Sequence, residues 1–536
     1  MRLGVSIFVF HIWKGNFMNK FLRIILALLM VTVFTSCQKH NEHTQHNSRL
    51  RINFQDGDVP SLHPSLLTAH IRGLSLGRWL YEGLMRIDHN GQPGFAGAEK
   101  VEISQDKKTY VFTLRDHKWS DGSTVSADHY VATWRHALTP QADCPRADLF
   151  YLIKNGQKAK KGEVAVEEVG VHALNPTTLM IELEHPSPHF LQLLAHPLFV
   201  PLKDPFSEPT VFNGPFIPKK WEKGTCMTLA SNEYFWNHDH VSLSHIDIDF
   251  IDDPTTPFYM FEKQQIDWIG ASLSLLTKEV GTKLLEQNTG YLKPVNRFFW
   301  IYLNTSHPVL RSAKMRKALA LSIDCNQIAK HIFIADEPLL APVHADMIPL
   351  PVSSLENPMT ARELFEEGLK ELNLTKDTCP PLILSYANCA GFKSLSEYIK
   401  TTWEEMSGLH FELQGMEWNV FRNNLEKGAY QIGGCYQSIM YDDPLEIFER
   451  FEELGNANFS QWENAGFKEK LALIRQEIDE QKQKELLVEA ERILIEQMPF
   501  IPVCRGVHVY AHHPGLKHYI LESDGSIDFA YSTMER

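Results

Sequence analysis

Only one long apolar run occurs in this 536-residue chain, and it lies near the N-terminus, between Ile24 and Phe34. As a helix its eleven residues reach about 16 Å, well short of a hydrocarbon core of roughly 30 Å. Everything after that run must therefore fold by burying its own apolar residues away from water. A chain of 536 residues is too long for one core, since cores rarely grow past roughly 250–300 residues. Hydrophobic residues at 43% and charged residues at 22% are ordinary for folded domains. That balance excludes disordered, collagen-like and disulfide-scaffold chains. The net charge of −14 speaks against a nucleic-acid partner, because phosphate binding needs a surplus of Lys and Arg.

From Met18, Lys20 and Arg23 precede the apolar run, Thr32 alone breaks it, and Thr35 and Ser36 follow it. A basic region, a short apolar region and then small residues form a secretory signal, complete from Met18 onward. Cys37 comes directly after Ser36, an arrangement similar to a bacterial lipobox, with Phe34 standing where Leu is usual. The expectation is a signal peptide over 1–36 and a lipid-anchored flexible tether over 37–49, lipidated at Cys37. The protein is then a periplasmic lipoprotein of the bacterial cell envelope. An uncleaved signal anchor is the alternative. Removal of 1–36 takes away Arg2, Lys14, Lys20 and Arg23 and no acid, which deepens the net charge from −14 to −18. His40, His43 and His46 recur in the polar tether; such a tract can chelate a metal, though polar filler explains it as well.

Seven further cysteines follow Cys37: Cys144, Cys226, Cys325, Cys379, Cys389, Cys435 and Cys504. Their number is odd, their gaps are wide and no CxxC occurs, so neither a zinc ribbon nor a redox dithiol is written here. Buried thiols are expected, with Cys379–Cys389 as one pair that could form.

Strand and helix patterns alternate along the rest. Leu50–Phe54 reads as a strand, Leu74–Leu84 as a helical run, and the Gly-rich 91–100 as a loop. Residues 101–114 and 168–183 read as two hairpins, the second turning at Asn175-Pro176. Helical spacing marks Ser312–Ile323, Ala361–Leu372, Tyr398–Met406 and one long run from Phe467 to Gln497. This is an α/β chain with no repeat period.

Catalytic motifs are scarce. Gly73-Leu74-Ser75-Leu76-Gly77 matches GxSxG, but an elbow needs a strand before the serine, and the residues preceding Ser75 read as helix or loop. Ser104–Lys107 has SxxK spacing on a hairpin turn, where the two side chains share no helical face. His185 and His189 flank two prolines, which excludes one regular helical face for a metal. Gly91, Gly94 and Gly97 read as turn residues. The expectation is a protein that is not an enzyme, with no metal and no cofactor.

Several ordered blocks carry a resemblance. Leu114–Leu138 joins a strand end, a Trp119-Ser120-Asp121-Gly122 turn and a helix that Ser126 can cap, with Asp128 near its positive end. With Trp79–Leu84, Asn213–Phe216, Ser231–Trp236, Met315–Leu319, Ser322–Asp324 and Met498–Pro502, it resembles the extracellular solute-binding proteins of peptide ABC importers. This oligopeptide- and dipeptide-binding family is matched from about residue 50 to 530. The resemblance implies a periplasmic-binding-protein-like α/β fold of two lobes with a hinge plus a third, inserted domain. Lobe I would comprise 50–85, 186–295 and 503–536, the inserted domain II 86–185, and lobe II (domain III) 296–502. It also implies a monomer that captures peptides between closing lobes and delivers them to ABC permease membrane subunits. A metal-complex or haem receptor on the same fold, and remotely an exported serine hydrolase using Ser75, are the alternatives.

Peptide binders of this family meet the ligand's ammonium with an aspartate in a DYxxP-like segment. The corresponding stretch here is Gln437-Ser438-Ile439-Met440-Tyr441-Asp442-Asp443-Pro444, and with Pro444 setting the register Met440 takes the aspartate's place. A buried ammonium without a counter-charge costs several kcal/mol. Either Asp442 or Asp443 replaces it, or a free peptide N-terminus is not gripped in the usual way. Asp442 and Asp443 read equally well as caps for a helix opened by Pro444. Gln437 stands where the family often has Trp, and Arg146 where peptide binders tend to carry Tyr. A gained cation beside a lost anion points to acidic or cell-wall-derived peptides.

Overall fold

The computed structural model describes residues 48–536 except Asp56, Ala345, Asp346, 348–358, Ala390, Tyr441, Asp442 and Asn456. The signal region, Cys37, the His-bearing tether, Tyr441 and Asp442 thus lie outside the described residues.

Three sheets organise the chain, each over its own apolar cluster. In the first, Arg49–Phe54 runs parallel to His245–Phe250, which pairs antiparallel with Cys226–Ser231 and through it with Phe216–Glu222. Leu50, Ile52 and Phe54 point inward at period two, onto Trp79, Leu229 and Ile248. The second sheet stacks the two hairpins, Ala98–Ile103 with Thr109–Leu114 and Val171–Asn175 with Thr178–Glu182, joined at Tyr110 opposite Ile181. Helix Ala127–Ala137 covers it with Tyr130 and Trp134. Ser126 opens that helix, its N–H donating to His129 Nδ1 at 2.9 Å.

The third sheet has seven strands and is built on two long ones, Tyr291–Leu303 and Phe500–His512. They run antiparallel, from Tyr291 opposite Tyr510 to Tyr302 opposite Phe500. Tyr510 belongs to the first core, whereas Tyr302 and Phe500 belong to the third. These strands therefore carry the chain from one core to the other, and their register shifts between Pro294 and Phe298 and again between Phe299 and Trp300. The architecture is α/β and multi-domain.

Three local readings change. The Gly-rich stretch contains a short strand, Pro93–Phe95, paired with Met85–Ile87. The helical run from 467 to 497 is two helices, Ala465–Gln476 and Glu480–Gln497. Asp479 breaks it, because its carboxylate accepts the Lys482 N–H at 3.0 Å and starts a new helix. Cys379 and Cys389 are free thiols, as are the other cysteines among the described residues.

The ordered sequence blocks meet one another in space. Asn213 clamps the backbone of Glu82, accepting its N–H at 3.1 Å and donating to its carbonyl at 2.9 Å. Gly214 N–H donates to Leu80 O, and Asn232 Nδ2 donates to Gly214 O, each at 2.9 Å. Ser120 N–H donates to Phe212 O at 2.7 Å, which ties the Trp-Ser-Asp-Gly turn to the same place. Arg316 is buried and donates to the carbonyls of Leu310, Arg311, Gln497 and Met498, so it locks Met315–Leu319 to Met498–Pro502.

A β-carbon at Gly214 would lie 2.4 Å from the carbonyl carbon of Leu80 and from the amide nitrogen of Tyr81. Only backbone displacement can relieve that contact. Gly214→Ala should cost roughly 2–3 kcal/mol in urea denaturation, and an unchanged midpoint would contradict this packing.

Candidate functional site

A cleft of about 320 Å³ opens where the three cores approach one another. Arg78, from helix Ile71–Leu80 of the first core, lines it together with His196, which follows the helical turn Phe190–Leu193 beside the second. Lys293 comes from the first long strand, and Met440 from the segment after strand Ile432–Ser438 of the third sheet. Glu522 and Asp524, on a turn near the C-terminus, complete it.

Beneath the cleft lies a buried ionic network. Arg78 Nη2 stands 2.7 Å from a Glu522 oxygen and 2.9 Å from an Asp524 oxygen. Its Nε donates to Ser526 Oγ at 2.8 Å and its Nη1 to Ala195 O at 3.0 Å. Burial pushes the Glu522 carboxyl up to about 8, with Arg78 opposing. Burial acts on Asp524 in the same direction, but Arg78 and the two Ser526 hydrogen bonds outweigh it and hold the carboxyl low. Desolvation lowers His196 to about 3, so the ring is neutral. Its Nδ1 accepts the Leu198 N–H at 3.1 Å, which leaves the proton on Nε2. That Nε2 and Glu522 Oε1 have no hydrogen-bond partner among the described residues.

Of the described residues singled out from sequence, Met440 lines this cleft, and Glu446 links its backbone to Arg146. Arg146 is bidentate on Asp148, at 3.1 and 3.0 Å, and its Nη2 lies 3.9 Å from Glu446 Oε1. Glu446 accepts the Met440 N–H at 2.8 Å and pairs with Arg450 at 3.5 Å. Met440, half-buried, packs against the second core. Asp443 is buried and caps helix Pro444–Phe448, accepting the Leu445 N–H at 2.8 Å, with its other oxygen 4.0 Å from His189 Nε2. Gln437 is buried and accepts from Arg450 Nη1 at 2.8 Å, which ties it to the same Glu446 cluster.

Sequence reasoning passed over Arg78, His196, Glu446, Glu522 and Asp524. Asp524-Gly525 is a turn pair, but nothing local announces its partner in helix Ile71–Leu80. The serine-nucleophile alternative fails on geometry: Ser75 is buried inside that helix and its Oγ accepts the Ile527 N–H at 3.0 Å. Among the described residues no group of three or more His, Cys, Asp or Glu is placed to hold a metal, and no helix is long and apolar enough to cross a membrane.

Residues 93–459 match the bacterial extracellular solute-binding proteins, family 5 Middle. The oligopeptide-binding protein OppA of Bacillus subtilis is 31% identical, with 94% of this chain and 98% of the relative covered. The periplasmic murein peptide-binding protein MppA of Escherichia coli is 24% identical over 85% of this chain and 87% of its own length. The solved structure of the Escherichia coli murein tripeptide binding protein MppA superposes with a TM-score of 0.77 at 22% identity, covering 92% of this chain and 99% of that one.

Burial lifts the Glu446 carboxyl to about 7 from its usual 4.5, with Arg450 and Arg146 opposing. Between those two values the folded protein holds a proton that the unfolded chain has released, so stability falls as pH rises through that window. Relative to Glu446→Gln, the wild type should lose up to about 1.4 kcal/mol per pH unit there. Parallel pH profiles in urea denaturation would refute the assignment.

Proposed function

Because this chain belongs to the bacterial extracellular solute-binding proteins of family 5, we propose that it captures peptides in the cleft and delivers them to the membrane subunits of an ABC importer. The observation that carries this reading is the likeness to an oligopeptide-binding protein along nearly the whole length of both chains. Binding and release are the entire task, and no bond is made or broken.

In this reading 50–85, 186–295 and 503–536 form lobe I, 86–185 the inserted domain II, and 296–502 lobe II. The two long strands are the hinge, supported by their passage between cores and their register shifts near Pro294 and Phe299. The protein works as a monomer in the periplasm, tethered to the membrane through a lipid on Cys37.

The preference for acidic or cell-wall-derived peptides finds a different basis from the one expected. Arg146 already has Asp148 and Glu446 beside it, so it is a poor anion receptor. Arg297 is better suited. It lies opposite Ser438, two residues before Met440, and its guanidinium covers the Tyr436 ring at 3.9 Å. No carboxylate among the described residues pairs with it. A stacked, partly desolvated guanidinium favours a ligand carboxylate.

Native mass spectrometry of the purified protein should show adducts that release as peptides. Enrichment of peptides bearing an internal carboxylate, lost in Arg297→Ala, would support the acidic preference. Recovery of no peptide from cells, or after incubation with a mixed peptide digest, would refute peptide capture.

A further inference from the structure

We propose that Glu522 is the counter-charge for an ammonium group of the bound peptide, in a cleft where Met440 supplies none. The inference rests on the peptide-capture reading and deepens it. Met440 and Glu522 line the same cleft, one carried by the third sheet and the other by the C-terminal turn beside the first core.

Glu522 is only 6% exposed and His196 4%. Burying a carboxylate oxygen without a donor is costly, and so is burying an imidazole N–H without an acceptor. Here both occur on the walls of one cavity: Glu522 Oε1 lacks a donor among the described residues and His196 Nε2–H lacks an acceptor. The other atoms of each group are engaged, Glu522 Oε2 by Arg78 and His196 Nδ1 by Leu198 N–H. What is missing is one donor and one acceptor. The first residue of a peptide offers that pair, with three N–H bonds on its ammonium and a carbonyl one residue-length away.

Charge agrees with this assignment. Asp88, Glu522 and Asp524 line the cleft with Arg78 and Lys293, and an ammonium beside Glu522 would draw its carboxyl, which burial otherwise holds toward the neutral form, into the ionised one. Asp443, the nearer alternative, is already tied to its helix cap and faces His189. The ammonium would sit beside the Met440 side chain, which leaves it one wall of low polarity and so strengthens its attraction to Glu522.

The test uses synthetic tri- to pentapeptides of random lysine-free sequence, half of them N-acetylated, offered to the purified full-length protein stripped of ligand. Mass spectrometry of the retained pool gives the ratio of free to acetylated peptides. The wild type should enrich free amines by at least about tenfold, Glu522→Gln should bring the ratio near unity, and Glu522→Asp should keep it. Because Glu522→Gln disturbs the Arg78 network and can fail to fold, Met440→Asp supplies a second arm that leaves the network intact. With a counter-charge already present, that variant should shift the ratio by less than about threefold. Equal retention by the wild type, a preserved ratio in folded Glu522→Gln, or a rise of about tenfold or more in Met440→Asp would each overturn the role of Glu522. Retention of neither peptide class would instead overturn peptide capture itself.

Discussion

The pairing of Arg78 and Arg86 with four buried carboxylates is the constraint on which the rest of this fold depends. Arg78 meets Glu522 and Asp524, while Arg86 meets Glu82 and Asp528. These contacts fasten helix Ile71–Leu80 and strand Met85–Ile87 to the turns from Glu522 to Asp528, and Arg78, Glu522 and Asp524 line the cleft. Buried ions are tolerated only when paired and hydrogen-bonded. Four acids against two guanidiniums leave the group short of positive charge, and the strain falls on one member. Asp524 has Ser526 and Arg78 to hold it ionised, whereas Glu522 has one unpartnered oxygen and is driven toward its neutral form. The network thus fixes the fold and leaves its deficit on Glu522, a residue of the cleft wall.

The blocks that identify the family in the sequence turn out to be joints rather than ligand contacts. Asn213 and Gly214 exist where they do because the backbone of Leu80 to Glu82 passes within touching distance. Arg316 binds four carbonyls around the helix end at Met498, a non-glycine residue with φ of 46°. Such positions tolerate few substitutions on steric and hydrogen-bonding grounds, whichever ligand the protein carries. A recognisable architecture therefore sets no constraint of its own on the charges of the cleft.

What was legible follows from the range of each interaction. Period-two alternation placed both hairpins, since the signal lies within a few residues. The break at Asp479 was not legible, because an N-cap inside an otherwise helical pattern looks like any other polar helix residue. The site divides in the same way. Met440, Asp443 and Gln437 could be picked out along one local segment, and the capping role of Asp443 was readable from Pro444 beside it. Glu522 and Arg78 lie more than four hundred residues apart, and no local pattern predicts that two such residues meet in the fold. Glu446 was hidden for another reason. In PLEIFERF it reads as an ordinary acid of a helix's first turn, and only folding buries it against Arg146 and the Met440 amide.

That burial bears on how the lobes close. Met440 brings an apolar side chain against the second core, and Glu446 follows it toward Arg146. The apolar contact favours closure by removing surface from water. The ionic contact adds less, because burial lifts the Glu446 carboxyl against the opposing pull of Arg450 and Arg146. A ligand shifts an equilibrium between open and closed states only by its differential affinity for the two. A cleft sealed by strong contacts of its own would close without cargo and release nothing. With the unpartnered groups of Glu522 and His196 on its walls, closure becomes favourable when something fills the space and satisfies them.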